Sequence, residues 1–232
     1  MTQAKHDTCP GCRCQGSPAC SLRESCGQII LVRHGQTEWN RVERFRGRAD
    51  VPLNEIGIRQ AEETRRRVAA KWQPLAIYSS PLSRAVKTAE EIARHFDLSV
   101  EVDPGLVDID YGAWQGLTPD EVCQHSPDML DTWYNAPHLA FILGGETLDD
   151  LRKRTMETVG NLASQHTTET IVLLGHTVIN RVILLAVLGL ENERFWRIKQ
   201  DTCAVNVFEI NQGDYTLVSL NDTCHIDSIP QG

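Results

Sequence analysis

Short apolar runs alternate with longer segments of helical spacing through most of the chain. Apolar or alternating runs predict strands at residues 28–32, 75–79, 99–102 and 170–174. Helical spacing predicts helices after Asn54, at residues 81–96, from Thr147 to about residue 164, and at residues 178–188. Strands that alternate with helices in this way are typical of a parallel sheet covered by helices.

Capping residues and a late change of period refine this picture. Asn54 and Thr147 are expected to be helix N-caps, and Ser80 followed by Pro81 predicts an N-cap and the first position of a helix. Apolar and polar residues alternate in two runs near the C-terminus, which predicts an antiparallel hairpin at the sheet edge. These runs are residues 203–210 and 214–220, on either side of Asn211-Gln212-Gly213.

The first 27 residues form a polar, cysteine-rich segment without helical or strand periodicity. We interpret residues 1–27 as an N-terminal extension and residues 28–232 as a single domain. The spacing of the cysteines leaves two alternatives open, a flexible thiol-bearing tail or a site for zinc or an iron–sulfur cluster, with His6 as a further ligand. The cysteines are Cys9, Cys12, Cys14, Cys20 and Cys26.

Charge and hydropathy narrow the classes of partner. The formal net charge of −8 argues against nucleic acid as a partner, which would need a broad basic surface. Residues 33–48 are locally basic, with five arginines against two glutamates, and this favours a small anionic substrate. The chain lacks an apolar run long enough to span a bilayer and the apolar stretch of a signal peptide, so we expect a cytoplasmic protein without membrane contacts.

Histidine and arginine side chains follow three of the predicted strands. The first strand runs into Arg33-His34-Gly35-Gln36-Thr37-Glu38-Trp39-Asn40, Arg84 lies in the first turn of the helix after the second strand, and His176 follows the strand at 170–174. Because open α/β sheets bind ligands at the carboxyl ends of their strands, we expect these side chains to converge there.

The pattern Arg-His-Gly-x-Thr-x-x-Asn resembles the motif of the histidine phosphatase superfamily, the phosphoglycerate-mutase-like enzymes, and the resemblance extends from about residue 28 to the C-terminus. It implies an α/β three-layer sandwich, with a mostly parallel sheet, helices on both faces and an antiparallel C-terminal edge hairpin. It also implies that His34 takes up a phosphoryl group and that His176 is the second histidine of the family. Thr177 stands where the family usually has glycine.

Asp108 resembles the catalytic acid of the family. It lies in a loop that continues as Tyr111-Gly112-Ala113-Trp114-Gln115-Gly116. Most members carry glutamate there, and Asp110 is the alternative acid. Residues 117–143 correspond to a cap that is shorter than in the phosphoglycerate mutases. A short cap favours hydrolysis, since a mutase must keep its phosphorylated intermediate from water, and the chain resembles the short-cap broad-specificity or α-ribazole phosphatase type.

These residues suggest a phosphomonoester hydrolase that forms phosphohistidine and acts on a small phosphorylated metabolite. His34 would be the nucleophile, Asp108 the acid, and His176 a third member of the catalytic set, with the substrate held by Arg33, Asn40, Arg84 and Thr177. No metal or other cofactor is required, because arginines and histidines supply the neutralising charge. A phosphoglycerate mutase and a non-catalytic phosphate-binding or regulatory module are the alternatives. The oligomeric state is left open, with a homodimer among the options.

Overall fold

A computed structural model describes residues 26–211 and 213–229, which form one six-stranded sheet flanked by helices. The strands are β1 Gly27–Arg33, β2 Ala76–Ser79, β3 Val100–Val102, β4 Thr170–Gly175, β5 Val205–Asn211 and β6 Asp214–Asp222. The α-helices are α1 Glu38–Arg41, α2 Glu55–Lys71, α3 Ser83–Phe96, α4 Pro119–His125, α5 Pro127–Asn135, α6 Leu148–Gln165 and α7 Thr177–Val187. Short 3₁₀ helices lie at Pro104–Leu106, Gly112–Trp114, Pro137–Leu139, Asn192–Arg197 and Cys224–Ile226.

The strands lie in the order β3-β2-β4-β1-β5-β6. The first four are mutually parallel, whereas β5 runs antiparallel to β1 and β6 antiparallel to β5. The predicted antiparallel hairpin at one sheet edge is therefore confirmed. Because β1 and β4 are neighbours, the chain segments that follow both strands meet at one edge of the sheet.

Alternate residues of β1 point into two separate cores. Ile29 and Leu31 belong to a buried cluster that includes residues of α6 and α7, and Ile30 and Val32 belong to another that includes residues of α2 and α3. Period-two alternation into two apolar layers requires helices on both faces of the sheet. The predicted three-layer α/β sandwich is confirmed.

Two of the three predicted N-caps are present. The Asn54 side chain accepts a hydrogen bond from the Gly57 amide, and the Thr147 hydroxyl accepts one from the Asp150 amide. The prediction for Ser80 was wrong, because α3 begins only at Ser83. The hydroxyl of Ser80 has a tertiary partner, the ring of a buried histidine.

The predicted N-terminal extension lies almost entirely outside the described residues. Cys9, Cys12, Cys14 and Cys20 belong to that part of the chain, so the metal-site alternative stays a prediction. Cys26 is described, and it is a half-buried free thiol. Within the described ranges, no helix is both long and apolar enough to cross a membrane.

Candidate active site

The end of β1 places His34 between its two neighbouring strands. Its backbone amide donates to the carbonyl of Gly175, which ends β4, over 3.1 Å, and its carbonyl accepts from the Cys203 amide over 3.2 Å. The next residue, Gly35, packs closely against the backbone of α2. A Cβ atom at this position would lie only 2.5 Å from the carbonyl oxygen of Gly57. The backbone that carries His34 is therefore held on both sides and packed from a third.

The ring of His34 has a defined tautomer. Its Nδ1 lies 2.6 Å from the carbonyl oxygen of Gly35. A carbonyl oxygen can only accept, so Nδ1 carries the hydrogen and Nε2 keeps its lone pair. Burial, and then the positive charge of Arg84, hold the pKa of His34 well below its usual range. His34 is therefore a neutral imidazole near pH 7, with Nε2 available as a nucleophile.

His176 lies beside His34, with ring centroids 5.0 Å apart. Arg84 Nε donates to its Nδ1 over 3.2 Å, and since a guanidinium only donates, Nδ1 is the acceptor. The other nitrogen, Nε2, then carries the hydrogen and donates to Ser80 Oγ over 2.7 Å. Burial, followed by the charge of Arg84, also lowers the pKa of His176 well below its usual range. The ring is neutral and is held from both sides.

Two arginines beside the histidines are buried with little compensating charge. Arg84 is fully buried and donates through Nη1 and Nη2 to the carbonyls of Ala49 and Gly47. Arg33 donates through Nη1 to the Gln200 carbonyl over 2.6 Å, while its buried Nε has no partner among the described residues. Burial is the first cause that lowers the pKa of Arg33 to about 9 and that of Arg84 to about 10. Both remain cationic near neutrality and favour an anion between them.

The two candidate acids have different surroundings. Asp108 is 4% exposed, its Oδ2 lies 3.9 Å from Arg84 Nη2, and its buried Oδ1 has no hydrogen-bond partner in the described structure. Burial raises the pKa of Asp108 despite the opposing charge of Arg84. Asp110 instead accepts from the Gly112 amide over 2.8 Å and pairs with Arg48 at 3.3 Å. Of the two, Asp108 is the carboxyl group at the buried arginines.

A cavity of about 420 Å³ opens beside these groups. Four of the predicted residues, Arg33, Asn40, Asp108 and Thr177, line it, whereas His34, Arg84 and His176 are almost completely buried. Asn40 Oδ1 accepts from the Thr37 amide, and the buried Oγ1 of Thr177 has no partner among the described residues. The charged groups of the lining are four arginines and two carboxylates, namely Arg33, Arg44, Arg46, Arg181, Glu43 and Asp108. Such a cavity is suited to a small anion.

Sequence reasoning missed three polar residues of this region. Ser80 follows the end of β2 as His34 follows β1, so the same strand-end rule could have identified it. Arg46 lies in the basic stretch already noted, but nothing distinguished it there from its neighbours. Arg181 interrupts an otherwise almost wholly apolar helix, which is a signal for a buried charge with a role.

Comparison with known proteins identifies the family. The sequence pattern of the histidine phosphatase superfamily (branch 1) matches residues 29–223, which include every residue of the site. The chain belongs to the histidine phosphatase superfamily. This histidine phosphatase is a phosphomonoester hydrolase for a small phosphorylated metabolite, so both the family and the enzyme class predicted from the sequence are confirmed.

Similar proteins agree in length and fold. Phosphoserine phosphatase 1 of Hydrogenobacter thermophilus is 33% identical over 199 residues, covering 86% of this histidine phosphatase and 94% of the relative. A metal-independent phosphoserine phosphatase of Arabidopsis thaliana is 31% identical over 204 residues, covering 87% and 84%. A mutant phosphoserine phosphatase of Entamoeba histolytica in complex with phosphoserine has a TM-score of 0.78 at 28% identity, covering 86% of this chain and 99% of that one.

Proposed function

We propose that the protein hydrolyses its substrate in two steps through a phosphohistidine at His34 Nε2. The observation that carries this proposal is the hydrogen bond from His34 Nδ1 to the Gly35 carbonyl, which leaves the Nε2 lone pair free in a neutral ring. A protonated or reversed imidazole could not attack phosphorus from that nitrogen.

In the first step Nε2 attacks the phosphorus atom, and the bond between phosphorus and the ester oxygen breaks in line. Arg33 and Arg84 stabilise the charge on the transferring group, His176 holds the Arg84 guanidinium through its Nδ1, and Thr177 Oγ1 and the Asn40 amide complete the set of donors. Asp108 gives its proton to the departing alkoxide, which leaves as the alcohol. Its raised pKa supports this role, because an ordinary aspartic acid is almost fully ionised near neutrality.

In the second step water attacks the phosphohistidine. The Asp108 carboxylate takes a proton from the water as the new P–O bond forms and the P–N bond breaks. Inorganic phosphate leaves, His34 returns to the neutral state, and Asp108 is again protonated. Each group therefore ends the cycle in the protonation state in which it began.

No metal ion is needed in this scheme. Arg33 and Arg84 supply fixed positive charge where a metal-dependent phosphatase would use a divalent cation. One of the relatives is itself a metal-independent phosphatase. Chelators are therefore expected to leave turnover unchanged.

Residues 28–232 act in this proposal as one catalytic unit, with residues 117–143 as its cap. Trp133 and Tyr134 of α5 line the cavity over the site. Phosphoserine is a leading substrate candidate because relatives across most of the chain length are phosphoserine phosphatases. A cavity of about 420 Å³ is large enough for a metabolite of this size.

The test is phosphate release from phosphoserine and p-nitrophenyl phosphate in the presence of EDTA. His34→Ala is expected to abolish turnover, while His95→Ala, which removes an exposed histidine near the end of α3, serves as the matched control. Rapid quenching with labelled substrate should trap protein-bound phosphate that is stable to base and labile to acid, as a phosphoramidate is. Full activity in His34→Ala, or bound phosphate with the acid stability of a phosphoester, would refute the proposal.

A further inference from the structure

The side chain of Arg181 lines the cavity and lies against aromatic rings. It projects from α7, and its Cζ lies 5.0 Å from the ring centre of Phe195 and 4.8 Å from that of Trp196. The indole of Trp196 is itself held by a hydrogen bond to the Trp133 carbonyl over 2.8 Å. The guanidinium therefore lies against aromatic surfaces, which attract its charge without neutralising it.

No acidic side chain forms an ion pair with Arg181 within the described chain, and the carboxylate of Asp201 favours its positive charge only from beyond ion-pair distance. Its guanidinium forms neither an ion pair nor a hydrogen bond there, and its Nε is completely buried. Arg44 lines the same cavity but pairs with Glu121 at 3.1 Å, and Arg46 donates to the Trp39 carbonyl over 3.0 Å. A largely buried cation without a directly paired counter-charge is costly, so an anion that enters the cavity would gain strongly by binding it.

The phosphoryl group has its own cations at Arg33 and Arg84, so Arg181 is available for a second negative group. Arg33 and Arg181 line one cavity and are close enough for their charges to repel, which contributes to the lowered pKa of Arg33. One small molecule can therefore contact both. A planar guanidinium whose two Nη groups have no partner in the described structure matches a carboxylate in a two-point hydrogen-bonded pair.

We infer that Arg181 binds a carboxylate on the leaving group and so selects phosphorylated hydroxy acids or amino acids over phosphomonoesters without an acid group. This inference rests on the proposed function, because it places the phosphoryl group of the same molecule at His34. Arg181 is then a specificity-determining residue that contacts the part of the substrate that departs.

Matched substrates test this role. Phosphoethanolamine is phosphoserine without the carboxylate. Glycerol 1-phosphate has an alcohol where 3-phosphoglycerate has a carboxylate. The wild type is expected to favour the acid of each pair in kcat/KM by about 10- to 100-fold, the range for a charge-assisted pair in a buried site. Arg181→Met keeps the aliphatic contact with the aromatic rings, and it should bring both ratios close to one through loss of activity on the acids alone. Arg181→Lys keeps the charge without the two-point geometry and should give intermediate ratios.

Arg44→Met is the control, because it removes an arginine of the same cavity that already has a carboxylate partner. It is expected to leave the substrate ratios unchanged. Retention of the wild-type ratio in Arg181→Met would overturn the inference, and so would an equal loss on both members of a pair, which would indicate a purely structural role. If Arg181→Met is shown by circular dichroism not to fold, the ratio in Arg181→Lys decides in the same way. If the wild type hydrolyses all four compounds equally in a His34-dependent manner, the inference fails while the proposed function stands; if it hydrolyses none, the proposed function fails first.

Discussion

Asp108→Asn is the most informative change in the proposed mechanism. The amide has nearly the same shape as the carboxyl group, so it should fit the same buried position, but it cannot donate a proton to an alkoxide. Asp108 Oδ1 has no hydrogen-bond partner in the described structure, and Oδ2 lies 3.9 Å from Arg84 Nη2. The substitution therefore removes a proton donor and keeps a side-chain oxygen that can accept the backbone hydrogen bond of Ile109.

The size of the effect depends on the leaving group. A positioned general acid contributes about 10²- to 10⁴-fold, or about 3 to 5 kcal/mol of barrier, when the leaving group is a basic alkoxide such as that of serine. p-Nitrophenolate is a stabilised anion that needs no proton to depart, so the loss on that substrate should be small. The protonated Asp108 of the first step and an asparagine are both neutral, so neither holds the charge of Arg84, and phosphoryl binding should not weaken. Only the ionised form of Asp108 attracts Arg84, by about 4 kcal/mol at 3.9 Å and an effective dielectric constant of 20.

The pH dependence of kcat/KM is an independent test of the role of Asp108. The acid must be protonated for the first step, so kcat/KM for a serine-type substrate should fall as pH rises through the pKa of Asp108, which burial raises. On the acid side kcat/KM should fall only as His34 becomes protonated, and burial and Arg84 lower that pKa well below its usual range. For Asp108→Asn, kcat/KM should no longer fall at high pH but should still fall at low pH.

Steady-state kcat/KM for phosphoserine and p-nitrophenyl phosphate from about pH 4 to pH 8 measures both effects. Asp110→Asn is the matched control, because it changes the neighbouring carboxylate that pairs with Arg48. Equal losses of Asp108→Asn on the two substrates would refute its role as general acid. A strong leaving-group dependence in Asp110→Asn, with none in Asp108→Asn, would transfer the role to Asp110.

Two further predictions concern the support of the site. Ser80→Ala removes the 2.7 Å hydrogen bond to His176 Nε2 and should lower kcat by about 3- to 10-fold with little change in melting temperature, whereas an unchanged kcat would show that His176 needs no such partner. Gly57→Ala places a methyl group against the backbone of Gln36 and should cost about 1–3 kcal/mol in the free energy of unfolding, measured by urea denaturation. In Gly160→Ala the new methyl group in α6 meets no atom within 4 Å, so this change should raise the free energy of unfolding by about 0.5–1 kcal/mol. Stabilisation by Gly57→Ala together with destabilisation by Gly160→Ala would refute the packing argument.

The sequence predicted the fold well because its signals were local and periodic. β1 and β4 are apolar runs that end at histidines, and hydrogen-bonded pairing of these strands brings His34 and His176 together, as the strand-end rule implies. Ser80 shows where local reasoning failed. A serine before a proline is a strong capping signal, but the Ser80 hydroxyl forms a tertiary hydrogen bond with His176. Helix α3 begins at Ser83 rather than at Pro81. Contacts between residues 96 positions apart leave no mark on local periodicity.

The protonation states of the site follow from a single physical cause that the sequence does not contain. Burial disfavours the charged form of any group, so it lowers the pKa of His34 and raises that of Asp108. One dry environment therefore favours both the neutral nucleophile and the protonated acid, which is the pairing that the first step needs. Arg84 acts on both groups in the same direction: its charge further lowers the pKa of His34 and limits the rise at Asp108. A cap change that admits water should raise the first pKa and lower the second, and the active pH range would narrow from both sides.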